Sequence, residues 1–378
     1  MKVKGISRDI VNNLLERGNQ LGQGRSVGTI GFVDNNGFIT GCGKIVDGGV
    51  SGLPFRKLLR TVVGHSNGPL LELINQLPDN SVLISTSPGK SGIIISTGGI
   101  NIFNLPVIKI GIKNKKAVGV GILYPESSFF NLATISERIQ LDSLTARNME
   151  EERKVMRKST RLRLKYVDIS DELPVVNKAG KTGLVPQNGD RSWSLPSYQV
   201  KSIDREFVNR LVEESVKVEQ GREIASVGVV DKQGHVTQAG DIIVGGMGYV
   251  PSRLLASSYK DISDISLREA YTKIIPRNAV IVHTHPGGTG IMHMSDIMAG
   301  PGTWGRPIIA IGHNEKGEIK GLSVVTFSHK LSKLADEFED LDQNFYQADT
   351  PEAEIRLRKR RYEIAKEFTD LCTSIIIK

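Results

Sequence analysis

The chain repeats itself, and this constrains its fold more than any other feature. Laying Arg8 to Thr40 over Arg205 to Thr237 without a gap gives 13 identities in 33 positions. The best stretch sets QGRSVGTIGFVDNNGFIT against QGREIASVGVVDKQGHVT, and many other positions exchange one apolar residue for another. With the offset changed by one, PDNSVLISTSPGKSGII (Pro78 to Ile94) overlies PRNAVIVHTHPGGTGIM (Pro276 to Met292), and further on LPVIKIG resembles RPIIAIG. Agreement of this length, kept in order, indicates an internal duplication with a period near 198 residues.

Each copy follows one plan. An amphipathic helix comes first, with apolar residues at helical spacing: Ile10, Val11, Leu14 and Leu15, then Phe207, Val208, Leu211 and Val212. A strand follows over Val27 to Val33 or Ile224 to Val230, and its DNNG or DKQG turn leads into a second strand as a hairpin. Next is a helix, Pro69 to Leu77 in the first copy and about Ser266 to Ile275 in the second, where Ser266 and Glu269 have capping-box spacing. An apolar strand then delivers STSP or HTHP, and another lies beyond it. The pattern predicts an α/β fold with a mixed sheet, used twice.

These elements predict a first domain over 1–134 and a second over 201–330. Between them, 135–200 reads as a linker, partly helical and partly mobile. It contains the charged helix MEEERKVMRKSTRLRLK (Met149 to Lys165) and a Gly-, Pro-, Asn- and Ser-rich stretch from Asp171 to Pro196. The tail, 331–378, reads as C-terminal helices. In its run EAEIRLRKRRYEIAKEFTDL, basic residues alternate with Glu and apolar residues, which suits a solvated helix face packed on something.

Composition narrows the function classes. The 378 residues exceed the usual single-domain size and can bury a sizeable core. A formal charge of +8 is concentrated in a few helical segments without interleaved aromatic residues, so nucleic-acid binding is not expected. Cys42 and Cys372 suggest no disulfide framework, which fits a reducing cytosol. MKVKGISRDIVNNLL lacks an apolar signal core, and nowhere do eighteen apolar residues run together. A cytoplasmic protein without membrane association is the expectation.

The segment HTHPGGTGIMHMSD, His283 to Asp296, holds three of the seven histidines. Residues two apart in a strand point to one face, so His283 and His285 project side by side. Two imidazole nitrogens in that arrangement suit one metal ion, and Asp296 supplies an oxygen ligand from the start of the next short helix. Three protein ligands leave a fourth position open for water, the pattern of a catalytic rather than a structural Zn²⁺. A hydrolase also needs a group to take the water's proton and pass it on, and Glu223, opening the first strand of the second copy, is the candidate. In the first copy the corresponding residues are Ser26 for Glu223, Ser85 for His283, Ser87 for His285 and Gly98 for Asp296. All four groups are missing together while the surrounding frame persists. One metal-binding copy and one that kept only the fold is the simplest account.

These residues resemble the signature of the JAMM, or MPN-plus (JAB), zinc metalloproteases: a Glu well upstream, then H-x-H, ten residues and Asp. The resemblance covers roughly 205–327, with a degenerate, MPN-minus-like copy over 8–125. It implies a cytidine-deaminase-like domain in both copies. It also implies zinc-dependent cleavage of a peptide or isopeptide bond, with the C-terminus of a ubiquitin-like protein as one substrate class. The Glu then serves as general base and general acid, and a Ser eight residues after the second His helps hold the oxyanion. That position here is His293, with Ser295 two residues later. For His293 three roles stay open: donor to the oxyanion, metal ligand, or loop residue. Family members pair active with inactive chains, so the two copies are expected to form a pseudo-dimer within one chain. Two other classes are weighed against this one: a non-enzymatic scaffold of interaction modules, and an amidohydrolase, which also uses HxH. Fewer than 100 residues follow His285, too few for the many strand-helix units an amidohydrolase barrel still requires.

Overall fold

The computed structural model describes residues 2–50, 52–64, 67–89, 91–92, 98–185, 198–218 and 221–378. The first half runs β1 (Gly5–Ser7), α1 (Arg8–Leu21), β2 (Val27–Val33), β3 (Phe38–Cys42), β4 (Val46–Asp47), α2 (Phe55–Val63), α3 (Leu70–Asn75), β5 (Ser81–Pro88), α4 (Gly98–Phe103), β6 (Val107–Lys113) and β7 (Lys116–Leu123). It closes with α5 (Ser127–Thr145), α6 (Met149–Asp168), β8 (Asp171–Glu172) and β9 (Val175–Val176). The second half runs β10 (Ser202–Ile203), α7 (Arg205–Lys217), β11 (Ile224–Val230), β12 (His235–Gln238), β13 (Ile243–Val244), α8 (Ser252–Tyr259), α9 (Leu267–Glu269), β14 (Ala279–Pro286), α10 (Met294–Ile297), β15 (Ile308–His313) and β16 (Ile319–Val325). It closes with α11 (His329–Phe345), α12 (Pro351–Thr369), β17 (Thr373–Ser374) and β18 (Ile376–Ile377).

The fold is mixed α/β, with two nine-stranded mixed sheets that share one strand order. The first runs β8-β7-β6-β5-β2-β3-β1-β9 and the second β17-β16-β15-β14-β11-β12-β10-β18, with β4 and β13 as side partners. The ladders repeat the register as well. Gly28 pairs with Ser85 as Ala225 pairs with His283, and Gly5 pairs with Phe38 as Ser202 pairs with His235. The segment expected to link the copies carries α6, β8 and β9, and both strands join the first sheet. Gly121 pairs there with Glu172 as Ser323 pairs with Ser374 near the chain's end. Both halves therefore close with a helical hairpin and two short strands. Residues 186–197, in the Gly- and Pro-rich part of the expected linker, lie outside the described residues.

Local chemistry explains why the pattern repeats. Ser7 caps α1 and Asp204 caps α7 by accepting a backbone N–H from the first turn. In the hairpins, Asp34 accepts from the N–H groups of Asn36 and Phe38, and Asp231 from those of Gln233 and His235. Gly37 and Gly234 close these turns at φ 88° and 86°, where a side chain would be strained. Along β14 the alternate residues Val280 and Val282 pack beneath α7, while Ala279 and Ile281 face the larger cluster of the second half. Leu71 of α3 belongs to that larger cluster, so the hydrophobic core of the second half includes a residue of the first.

Polar contacts between the halves obey the same twofold rule. α2 and α8 start after Pro54 and Pro251, which offer no side-chain cap. The caps come from the opposite half. Glu339 accepts from the backbone N–H groups of Arg56 and Lys57 at 3.0 and 3.1 Å, and Glu137 from those of Arg253 and Leu254 at 2.9 and 3.2 Å. The two arginines are fully buried. Arg56 donates to Asp336 and Ser332, and Arg253 to Thr134 and Asn101. Burial pushes both glutamates up to about 7, against the N–H groups that favour the charged form. No helix among the described residues is long and apolar enough to cross a membrane.

Glu339→Ala leaves the first turn of α2 without its cap and Arg56 beside a lost negative charge. We expect a loss of about 2 kcal/mol in urea unfolding, the scale of hydrogen bonds to a charged group, and a similar loss for Glu137→Ala. A shift within error in both variants would show that the halves do not depend on these caps.

Candidate metal centre

β14 delivers the histidines because it lies between β11, antiparallel, and β15, parallel. The rung Ala225 to His283 is the last between β11 and β14, so His285 projects beyond that ladder, still held on its other side by β15. The Pro-Gly-Gly loop then folds back over the sheet edge. A Cβ at Gly290 would come within 2.5 Å of the Gly321 carbonyl oxygen, and one at Gly312 within 2.2 Å of the Gly290 nitrogen. Only glycine permits that approach. Ser323 Oγ donates to the Gly290 carbonyl and anchors the loop. The chain thereby returns to α10, which carries Asp296 in its first turn.

Here the ligand atoms converge. Nε2 of His283 and Nε2 of His285 are 2.8 Å apart, and Nε2 of His285 lies 3.7 Å from Oδ2 of Asp296. One ligand atom from each of the three residues fits within a span of 4.8 Å. Asp296 Oδ2 also accepts the backbone N–H of His293 at 3.0 Å, which sets the carboxylate's orientation. His283 is 3% exposed, and burial together with the neighbouring imidazole pulls it below its ordinary value. Burial lowers His285 in the same direction. Both rings are thus kept neutral, the form that ligates a metal. Two imidazoles and a carboxylate suit zinc and neighbouring first-row divalent ions.

Glu223 stands at the mouth of β11, two residues before the rung Ala225 to His283 and therefore on the ligand face. It shares a cavity of about 120 Å³ with His283, Ser295 and Asp296, walled by Tyr271 and Trp304. The two aromatic rings stack with centroids 4.5 Å apart. Glu223 is 6% exposed, and burial, then the charge of Asp296, push its carboxyl from 4.5 to about 8. Ser295 lines this cavity, while the exposed His293 belongs neither to its wall nor to the ligand cluster among the described residues. What His293 contributes is its backbone N–H.

The corresponding place in the first half is organised differently. Ser85 there accepts a hydrogen bond at 2.7 Å from the ammonium of Lys109, its neighbour on β6, where the second half pairs His283 with Ala310. Ser26 donates to the Gly49 carbonyl. A fixed ammonium thus sits where the second half presents neutral imidazoles. Reading HTH for its imidazoles passes over Thr284, whose hydroxyl lies in a buried polar chain with Ser215 and His313. The only sequence signal for it was that these two residues face Gly18 and Ile112 in the repeat alignment.

Glu223 keeps its proton in the folded, metal-free chain across a pH range in which the unfolded chain has released it. The contribution of Glu223 to folding stability therefore falls as pH rises between about 4.5 and about 8. In chelator-treated protein, Glu223→Gln is expected to flatten this decline, read as the change in urea midpoint across the window. An unchanged slope would place the carboxyl in water instead. No protein-family model matches the chain and no curated protein is similar to it, so the geometry of the site carries the functional argument.

Proposed function

We propose that the second half is a zinc-dependent metallopeptidase or deconjugase of the JAMM type, built on that family's cytidine-deaminase-like domain, which hydrolyses a peptide or isopeptide bond. The observation that supports this most is that the cluster His283, His285 and Asp296 borders, through His283 and Asp296, the cavity that Glu223 lines. His283, His285 and Asp296 would hold the zinc, which would supply Lewis-acid polarisation of a carbonyl and a water. The remaining chemistry belongs to the chain. Glu223 takes a proton from the water as its oxygen bonds to the carbonyl carbon, and returns that proton to the leaving nitrogen as the C–N bond breaks. Burial strengthens the carboxylate as a base, and a cation in the cluster would offset part of that rise so that it is ionised before the transfer. The Ser295 hydroxyl, on the cavity wall, donates to the carbonyl oxygen as charge builds there. Tyr271 and Trp304 exclude water and strengthen those interactions.

The first half, with serines and Lys109 in place of ligands, acts as the non-catalytic member of an intramolecular pair and holds α8 by its cap. The substrates are proteins or peptides in the cytoplasm, with a ubiquitin-like C-terminus as one class to be tested.

Purified protein should carry about one zinc per chain by elemental analysis and lose it in His283→Ala. Glu223→Gln should retain the metal while hydrolysis of quenched peptides and of ubiquitin-like C-terminal amides falls by about 10²- to 10⁴-fold. Folded protein that takes up no metal rules the proposal out. Full biological activity in Glu223→Gln would favour the non-enzymatic scaffold.

A further inference from the structure

Behind the ligands, on the opposite face of β14, lies a buried chain of polar groups with no part in the chemistry above. Thr284 Oγ1 accepts the backbone N–H of Ile224, the residue after Glu223, at 2.9 Å. The same hydroxyl lies 3.2 Å from Ser215 Oγ of α7, and Ser215 Oγ lies 2.9 Å from Nε2 of His313 at the end of β15. Nδ1 of His313 is 2.9 Å from the carbonyl oxygen of Asn314. A carbonyl only accepts, so Nδ1 carries the proton there. With the imidazole neutral, Nε2 accepts from Ser215, and Ser215 in turn accepts from Thr284. The donors therefore run one way, from Thr284 to Ser215 to His313 to Asn314. All three side chains are buried.

The first half shows what the fold itself requires. Thr86 accepts the Val27 N–H at 2.9 Å, so the tie between the two strands is common to both halves. Gly18 and Ile112 stand in place of Ser215 and His313 and pack together, a Cβ on Gly18 reaching Ile112 at 3.4 Å. An apolar pair thus satisfies the architecture. A buried hydroxyl and imidazole cost desolvation that such a pair does not, and they occur in the half that holds the ligands.

We infer that Ser215 and His313 are positioning residues for the metal centre, orienting the Thr284 hydroxyl so that one atom joins the ligand strand to the backbone beside Glu223. The register makes this tie necessary. The last rung between β11 and β14 is Ala225 to His283, and past it the Thr284 side chain ties the ligand strand to Ile224, while Glu223 is held on its other side by backbone bonds with Gly245 and Gly246. Without Ser215 as acceptor, the hydroxyl is free to turn toward the Ile224 carbonyl, 3.5 Å away. The inference rests on the metal reading of His283, His285 and Asp296.

The test exchanges the pair for that of the first half, Ser215→Gly with His313→Ile, in the full chain. Zinc affinity is measured by competition with a chromophoric chelator, the d–d bands are recorded with Co²⁺, and unfolding of the metal-free protein is followed in parallel. We expect metal-free stability to be equal or higher, zinc affinity to drop about tenfold, and the Co²⁺ bands to shift. Ser215→Thr, which keeps the hydroxyl, should restore both metal readouts. If the double variant fails to fold, Ser215→Ala, which deletes a single hydroxyl, should give the same drop. Equal affinity and an identical Co²⁺ spectrum in parent and variant overturn the inference and leave the metal reading intact. A parent chain that binds neither ion overturns both.

Discussion

The antiparallel ladder between β11 and β14 is the constraint on which the site depends. Its final rung sets His283 opposite Ala225, and the two-residue period of a strand then puts Glu223 on the same face as the histidine. One residue of slip would turn Glu223 away from the ligands and bring Ile224, now buried beneath α7, into the cavity. The hydrophobic alternation of β11 opposes that slip, because it would also move Ala225 and Val227 out of the larger cluster and Ile224 out of the layer beneath α7. Core packing and site geometry are therefore a single requirement.

Electrostatics explains why this cavity is arranged for a cation. Two neutral imidazoles direct nitrogen atoms at one point, and Asp296 and the raised carboxyl of Glu223 face the same space. Burial and the neighbouring charge of Asp296 raise the proton affinity of Glu223, and a divalent ion relieves this. The first half fills the corresponding place with an attached cation, Lys109 on its own sheet donating to Ser85. On the proposed reading, the same backbone supports a site that takes its cation from solution and one whose cation is already attached.

The boundary between the halves shows how a duplicated fold becomes one body. Helices begun by proline have unsatisfied N–H groups, and each half fills the other's with a glutamate. The buried arginines beside them find acceptors in the opposite half, and this pairing offsets their desolvation. α8, held in this way, carries Ser252 and Leu255 into the wall of the cavity. The first half therefore contributes to the site through the helix it holds rather than through ligands.

The sequence by itself determined the duplication, the strands Val27–Val33 and Ile224–Val230, the hairpins and the short helix that carries Asp296. Each is written in a local period, a turn residue or a cap, and such signals act within a few residues. It also singled out Glu223 and the cluster His283, His285 and Asp296, because these four residues are missing together from the other copy. Only the tertiary structure decided that β8 and β9 belong to the first sheet, since two-residue strands carry no period of their own. Glu137 and Glu339 look like solvated helix residues, and Ser215 and His313 like isolated polar residues in apolar elements. Their roles depend on which faces pack together, and partners from 69 to 283 residues apart leave no local mark in the chain.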